Sequence, residues 1–288
     1  MLSKIDRVQI AVPDAEAAAK GWIDLLDAEP DGHDRVAGLG ASRLRLRVGT
    51  GIVEFLEPHG TGVIADAVSA RGAHLFAAGA STHDLAGLAA RLQSKGVRPH
   101  AESGQLFMNE KDTGIDGLRL VLSQAETRPR VGLIDFLYEA TILSANRDGL
   151  MDHLNDMLGL DPKNYSEITS DQFGYTGTLT LFERDKLDRL EVITPTREGT
   201  TMERYFSKFG QSLYMAFAET PDMRAIEDRA MALGAGFTVD RPADRDPRKN
   251  ADQIWLHPRA LGGMMLGLSR PSMAWFWSGH PERVEVVA

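Results

Sequence analysis

The sequence has no cysteine among its 288 residues. That absence excludes a disulfide framework, a thiolate metal centre, an iron–sulfur cluster and a cysteine nucleophile. Long apolar runs are missing too: nothing approaches the roughly 18 uninterrupted residues of a membrane-spanning helix. The N-terminal residues Met1-Leu2-Ser3-Lys4-Ile5-Asp6-Arg7 contain no apolar core of signal-peptide length. Positive charge is in deficit, with 32 Lys and Arg against 41 Asp and Glu, a net charge of -9 and no basic run. Such a chain is a poor match for nucleic acid or an anionic membrane surface. The 43% of hydrophobic residues is ample for a packed core, and the length suits one large domain or two ordinary ones. The expectation is a soluble, cytoplasmic protein acting on small molecules.

What the sequence does contain is a repeat. Val8, Ile10 and Val12 alternate up to Pro13-Asp14, as in a buried strand that ends at a helix N-cap. The helix that follows carries Ala18, Trp22, Leu25 and Leu26 on one face. At a shift of 132 residues, Glu139 falls on Arg7, Ile142 on Ile10 and Asn146 on Asp14, while Leu154, Met157 and Leu158 fall on Trp22, Leu25 and Leu26. At a shift of 137, Leu190-Glu191-Val192-Ile193-Thr194-Pro195 matches Val53-Glu54-Phe55-Leu56-Glu57-Pro58. Tyr214-Met215-Ala216 then matches Phe76-Ala77-Ala78 at 138, and Leu266-Gly267-Leu268-Ser269 matches Leu120-Val121-Leu122-Ser123 at 146. The growing offset fits small insertions in loops of a duplicated fold. The chain therefore reads as two halves, 1–125 and 131–272, joined by the polar stretch Ala125-Glu126-Thr127-Arg128-Pro129-Arg130 and followed by a tail, 273–288. Each half runs strand, helix, several strands, twice over. This predicts an α+β fold of four βαβββ modules.

The segments "KIDRVQIAVPDAEAAAKGWIDLLDAEP", "VEFLEPHG", "LAARLQSKGV" and "IWLHPRALGGMMLGLS" resemble the vicinal oxygen chelate superfamily. It comprises glyoxalases, bleomycin-resistance proteins, extradiol dioxygenases and methylmalonyl-CoA epimerase, the last being most like the first half. The resemblance implies that modules pair into two eight-stranded cups. It also implies a divalent metal in a cup, held by one His, Glu or Gln from each of four strands. The corresponding positions are Arg7, Glu54, Phe76 and Val121 in the first cup, and Glu139, Glu191, Tyr214 and Gly267 in the second. In the first cup only Glu54 keeps a ligand type. His74, two residues before Phe76 on the same strand face, could join it as a metal ligand, while Arg7 could instead pair with Glu54 in place of a metal.

Glu139, Glu191 and Tyr214 are the candidate catalytic residues. The two carboxylates could hold a divalent cation (Mg, Mn, Zn or Fe), or act without metal as an acid and a base whose pKa values are split by proximity. Tyr214 is either a general acid or a packed aromatic. No dinucleotide loop is present, so no nucleotide cofactor is inferred. The charged loop 240–253 is a lid or a solvated connection. The cluster Met273-Ala274-Trp275-Phe276-Trp277 covers an apolar ligand, closes an outer sheet face or forms a dimer contact. The implied function is a lyase or isomerase acting on a small carbonyl-containing or aromatic metabolite. The alternative is a non-catalytic protein that binds an antibiotic or aromatic ligand. A third reading is a degenerate relative of the extradiol dioxygenases, whose two-His-one-carboxylate iron set is missing here. A small molecule is the expected partner, and the sequence leaves the oligomeric state open, a homodimer being one option.

Overall fold

The computed structural model describes residues 1–287. The first module comprises β1 (Leu2–Ala11), α1 (Ala15–Leu26), β2 (Glu29–Val36), β3 (Ala41–Val48) and β4 (Gly51–Pro58). A linking helix, α2 (Val63–Arg71), leads to β5 (His74–Thr82), α3 (Leu85–Ser94), β6 (His100–Glu102), β7 (Gln105–Met108), the short α4 (Glu110–Thr113) and β8 (Leu120–Gln124). The third module is β9 (Phe136–Leu143), α5 (Arg147–Leu158), β10 (Ser166–Ser170), β11 (Tyr175–Leu181) and β12 (Arg189–Pro195). After the linking helix α6 (Thr201–Phe209) come β13 (Ser212–Glu219), α7 (Met223–Ala232), β14 (Phe237–Asp240), β15 (Gln253–Leu256) and β16 (Met265–Ser269). The fold is α+β, with four βαβββ modules.

Each half forms one eight-stranded sheet, ordered β2-β3-β4-β1-β5-β8-β7-β6 in the first and β10-β11-β12-β9-β13-β16-β15-β14 in the second. The duplication detected by spacing is thus a duplication of topology. In the central strands β1 and β9, alternate residues face opposite sides of a curled sheet. Val8 and Ile10 point to the helices, while Arg7 and Gln9 point into the cup.

The helices start where the sequence supplies caps. Asp14 Oδ1 accepts from the Ala17 N–H at 2.9 Å, and Asn146 Oδ1 accepts from the Gly149 N–H at 3.2 Å. In α1 the buried residues Ala15, Ala19, Trp22, Leu25 and Leu26 make one apolar face. That face meets the second half: α1 packs on α7, and α3 on α5. The fully buried Trp22 donates Nε1–H to the Leu261 carbonyl at 3.2 Å. One continuous apolar core runs through both halves, and the two cups open away from it.

The linker is held rather than loose. Val131 bridges to Gly49, and Arg128 pairs with Asp6 at 3.2 Å. The loop between β14 and β15 is tied to α7 by the Arg241–Glu227 ion pair and closed on itself by Arg245–Asp252, both 2.6 Å. The C-terminal residues cover the second cup. Ala274 is fully buried, and Trp275 and Trp277 pack against Ile168, Leu179 and Leu181 on the inner face of the second sheet. No helix is long and apolar enough to cross a membrane among the described residues.

Asp188 lies at the seam, its Oδ1 accepting the Ile5 N–H at 2.8 Å. Burial pushes its carboxyl up to about 7. Because the folded value exceeds that of the unfolded chain, the protonated form is favoured on folding. The stabilisation is complete below the unfolded pKa and is lost as pH rises through about 7. Asp188→Asn, which keeps an acceptor for Ile5, is expected to stabilise the protein by on the order of 2 kcal/mol at pH 8 and by little at pH 4. Denaturant unfolding at the two pH values checks this, and an equal effect at both would contradict it.

Candidate active site

In the N-terminal cup, β1 and β4 run parallel with Gln9 opposite Glu54. Glu54 is fully buried, and both its oxygens are occupied. Oε1 accepts from Arg7 Nη1 at 3.0 Å and Gln105 Nε2 at 3.1 Å. Oε2 accepts from Gln9 Nε2 at 2.6 Å and Arg43 Nη1 at 3.3 Å. Arg43 is tied in turn to Asp34, and Arg7 to Asp6 and Ser123. The Arg7 stem lies across Gly79, where a Cβ would stand 1.7 Å from Arg7 Cγ. Burial alone would raise the Glu54 carboxyl, but Arg7 and Arg43 outweigh it and hold it below its ordinary value. His74 stands apart, at the start of β5 opposite Ala11, with its Nδ1 at 2.8 Å from the Gly72 carbonyl. Burial pulls its pKa down to about 4. Glu54 and His74 are therefore not brought together, and the guanidinium groups stand where a cation would.

The C-terminal cup has the opposite balance. In the parallel β9–β12 pair, Arg189 lies opposite Glu139 and Glu191 opposite Thr141. Arg189 Nε donates to Glu139 Oε2 at 2.6 Å, with both side chains buried. Thr141 Oγ1 lies 2.5 Å from Glu191 Oε2 and 3.3 Å from Glu139 Oε1. A hydroxyl has one hydrogen to donate, so it cannot satisfy two ionised carboxylates at once. Burial and the neighbouring Glu139 charge push the Glu191 carboxyl well above its ordinary value. The structure thus brings Glu139 and Glu191 together as the sequence leads one to expect. Tyr214 goes elsewhere: its ring packs edge-on against Tyr205 at 4.9 Å, and burial pushes its hydroxyl up to about 12. The phenol that feels both glutamates is Tyr175 on β11, raised first by burial and then by their charge. Two further residues belong here. Arg189 precedes Glu191 by two, and Thr141 follows Glu139 by two, so period-two alternation could have flagged both. Phe217 fills the floor, its ring against Gly267, where a Cβ would stand 2.2 Å away.

The model of the Glyoxalase/Bleomycin resistance protein/Dioxygenase superfamily matches residues 4–118. The matched segment lies in the first half, and there the chain is similar to that superfamily. Among solved structures, a 4-hydroxymandelate synthase from Streptomyces coelicolor carrying three substitutions aligns with 94% of this chain and 93% of its own, at TM-score 0.70 and 15% identity. A fusion of a xylose isomerase-like TIM barrel with a 4-hydroxyphenylpyruvate dioxygenase aligns over 94% of this chain and 49% of its own, at TM-score 0.64 and 13% identity. Methylmalonyl-CoA epimerase from Mycobacterium tuberculosis covers 48% of this chain, at TM-score 0.40 and 19% identity. At such identities the likeness is one of fold. No curated protein matches.

Vicinal oxygen chelate proteins commonly hold a divalent metal, and the donor sets here do not fit one. No cluster of three His, Asp or Glu suited to a metal forms among the described residues. In the C-terminal cup, the Arg189 cation stands 2.6 Å from the carboxylate that a metal would need. Two open cavities of about 380 and 390 Å³ lie elsewhere, one beside His33 and Arg43, the other beside Lys249 and Arg270. Neither of these two is lined by Glu139 or Glu191.

Removing the Glu54 charge would leave Arg7 and Arg43 buried with too little counter-charge. Glu54→Gln is expected to destabilise the protein by roughly 3–5 kcal/mol, measured by urea unfolding at pH 7. Because the folded pKa of Glu54 is depressed, its stabilisation is present above the unfolded value and disappears as pH falls through the folded one. The deficit of the variant should therefore shrink in acid, and a deficit independent of pH would contradict the assignment.

Proposed function

We propose that the C-terminal cup binds a small carbonyl-containing aromatic metabolite and moves a proton on it, as a lyase or isomerase does. The observation that carries this reading is the buried Glu139–Glu191 pair, which has one guanidinium for two carboxyls. Such a pair holds one proton between two groups and can give it at one atom while accepting another nearby. Glu191 carries the proton. It donates to the carbonyl oxygen, a proton from the adjacent carbon passes to the ionised carboxylate, and the ligand becomes its enol. The reverse sequence with the proton returned to a different position completes an isomerisation, and no oxidant is consumed. Arg189 pairs with Glu139 at 2.6 Å and fixes its orientation. Aromatic side chains suit the ligand: Tyr175, Trp255, Trp275 and Trp277 pack around the inner face.

A second reading, a binding protein without catalysis, is favoured by the closure of the same cup, in which Glu191 is only 5% exposed. Exchange of ligand α-protons in D2O, followed by proton NMR across a panel of small aryl ketones, separates the two. Enzyme-dependent exchange is expected, with Glu191→Gln slowing it by about 10²-fold or more. Exchange at the same rate in the variant would end the catalytic reading, and binding with no exchange at all would establish the second.

A further inference from the structure

We propose that Arg189 is a carboxylate-binding residue of the C-terminal cup and that the C-terminal segment occupies the carboxylate's place when no ligand is bound. The inference rests on the reading that this cup is the ligand site, and it narrows the ligand to a small aromatic carboxylate.

Arg189 is fully buried, yet its guanidinium is only partly satisfied. Nε donates to Glu139, and Nη1 donates to the Leu187 carbonyl at 3.2 Å and to Ser278 Oγ at 2.9 Å. Nη2 has no hydrogen-bond partner. A buried charged donor without a partner is costly, and native interiors rarely leave one so. The guanidinium lies over the Tyr138 ring, whose centre is 4.8 Å from Arg189 Cζ. Nη1 and Nη2 form the fork edge of the guanidinium, whose spacing matches the two oxygens of a carboxylate. One tine is filled by a hydroxyl and the other is empty.

The hydroxyl comes from a displaceable source. Ser278 lies beyond the last strand, in a segment of short turns that is not part of either sheet. Its Oγ donates to the Ala274 carbonyl at 2.6 Å, and the neighbouring Trp277 carbonyl accepts from Ser166 Oγ at 3.2 Å. Retreat of this segment would expose Arg189 and the aromatic wall together. A ligand carboxylate would then replace the Ser278 oxygen on Nη1 and supply the missing acceptor on Nη2. Glu139 stays on the opposite side of the guanidinium, at Nε, and keeps it oriented. Glu191, holding its proton, meets the ligand as a donor rather than as a like charge.

Calorimetric titration of the full chain at pH 7 with phenylacetate and with the neutral phenylacetamide tests this. Phenylacetate is expected to bind at least tenfold more tightly. Ser278→Ala, which vacates the fork, is expected to strengthen phenylacetate binding severalfold. The double variant Arg189→Met/Glu139→Gln removes both charges, so no buried ion is stranded, and it should abolish the preference while near-UV circular dichroism stays native. Should the double variant fail to fold, the Ser278→Ala arm decides. Equal affinity for the two probes, no binding of phenylacetate, a preference that survives the double variant, or unchanged affinity in Ser278→Ala would each overturn the proposal. Glu191→Gln should keep the carboxylate preference, so loss of proton exchange and loss of this site are distinguishable.

Discussion

A carboxylate taken out of water must find a cation, a set of hydrogen bonds or a proton. Both cups bury glutamates on equivalent strands, and each meets this requirement differently. Around Glu54 two guanidinium groups and two side-chain amides occupy every acceptor position, so the group is ionised, fully bonded and has nothing left to offer a ligand. Around Glu139 and Glu191 there is one guanidinium, and a single threonine hydroxyl lies between the two carboxyls. Burial and the neighbouring charge push the Glu191 carboxyl well above its ordinary value, toward the protonated form. The proposed function rests on that imbalance, because a proton held in a dry site beside its acceptor is the means of acid–base chemistry.

The same imbalance explains why duplicated halves need not share a role. Topology repeats strand for strand, but the residue facing the cup at the first position is Arg7 in one half and Glu139 in the other. Reversal of that one charge turns a saturated ion-pair network into a carboxyl pair. The neighbouring contacts follow suit. A small residue at Gly79 makes room for the Arg7 stem, whereas the equivalent Phe217 fills the second cup and uses the space left by Gly267. In neither cup is the arrangement one that a metal could enter without displacing a guanidinium.

Much of the fold was legible in the sequence, because the central strands and α1 and α5 carry regular apolar spacing and recognisable caps. Asp14 and Asn146 marked helix starts, and Glu54 and Glu191 marked equivalent strands. The edge strands β2, β6, β10 and β14 were harder to see. β2, with the sequence EPDGHDRV, carries Pro, Gly and charges and is held mainly by backbone pairing to β3. The helices α2 and α6, which link modules, lie outside the repeated unit. In the site, the glutamates and the Arg7–Glu54 contact were readable from position. Arg189 and Thr141 lie two steps along the strands of Glu191 and Glu139, and Tyr175 lies on β11, which carries no ligand position, so the family correspondence points to none of the three. Tyr214, placed by its offset of 138 from Phe76, sits at a bulge between Leu213 and Met215 and packs against Tyr205 instead. The role proposed for Ser278 depends on how the segment after β16 folds back onto the second sheet, which no local pattern encodes.

The central claim is that Glu191 keeps its proton at neutral pH because Glu139 and Arg189 leave no charge to balance it. Carbon-13 NMR of protein labelled at the glutamate carboxyl groups, titrated with pH, tests it directly. The account predicts that the resonance lost in Glu191→Gln has the protonated chemical shift at pH 7. A Glu191 resonance that titrates like an ordinary glutamate and is fully ionised at that pH would contradict it.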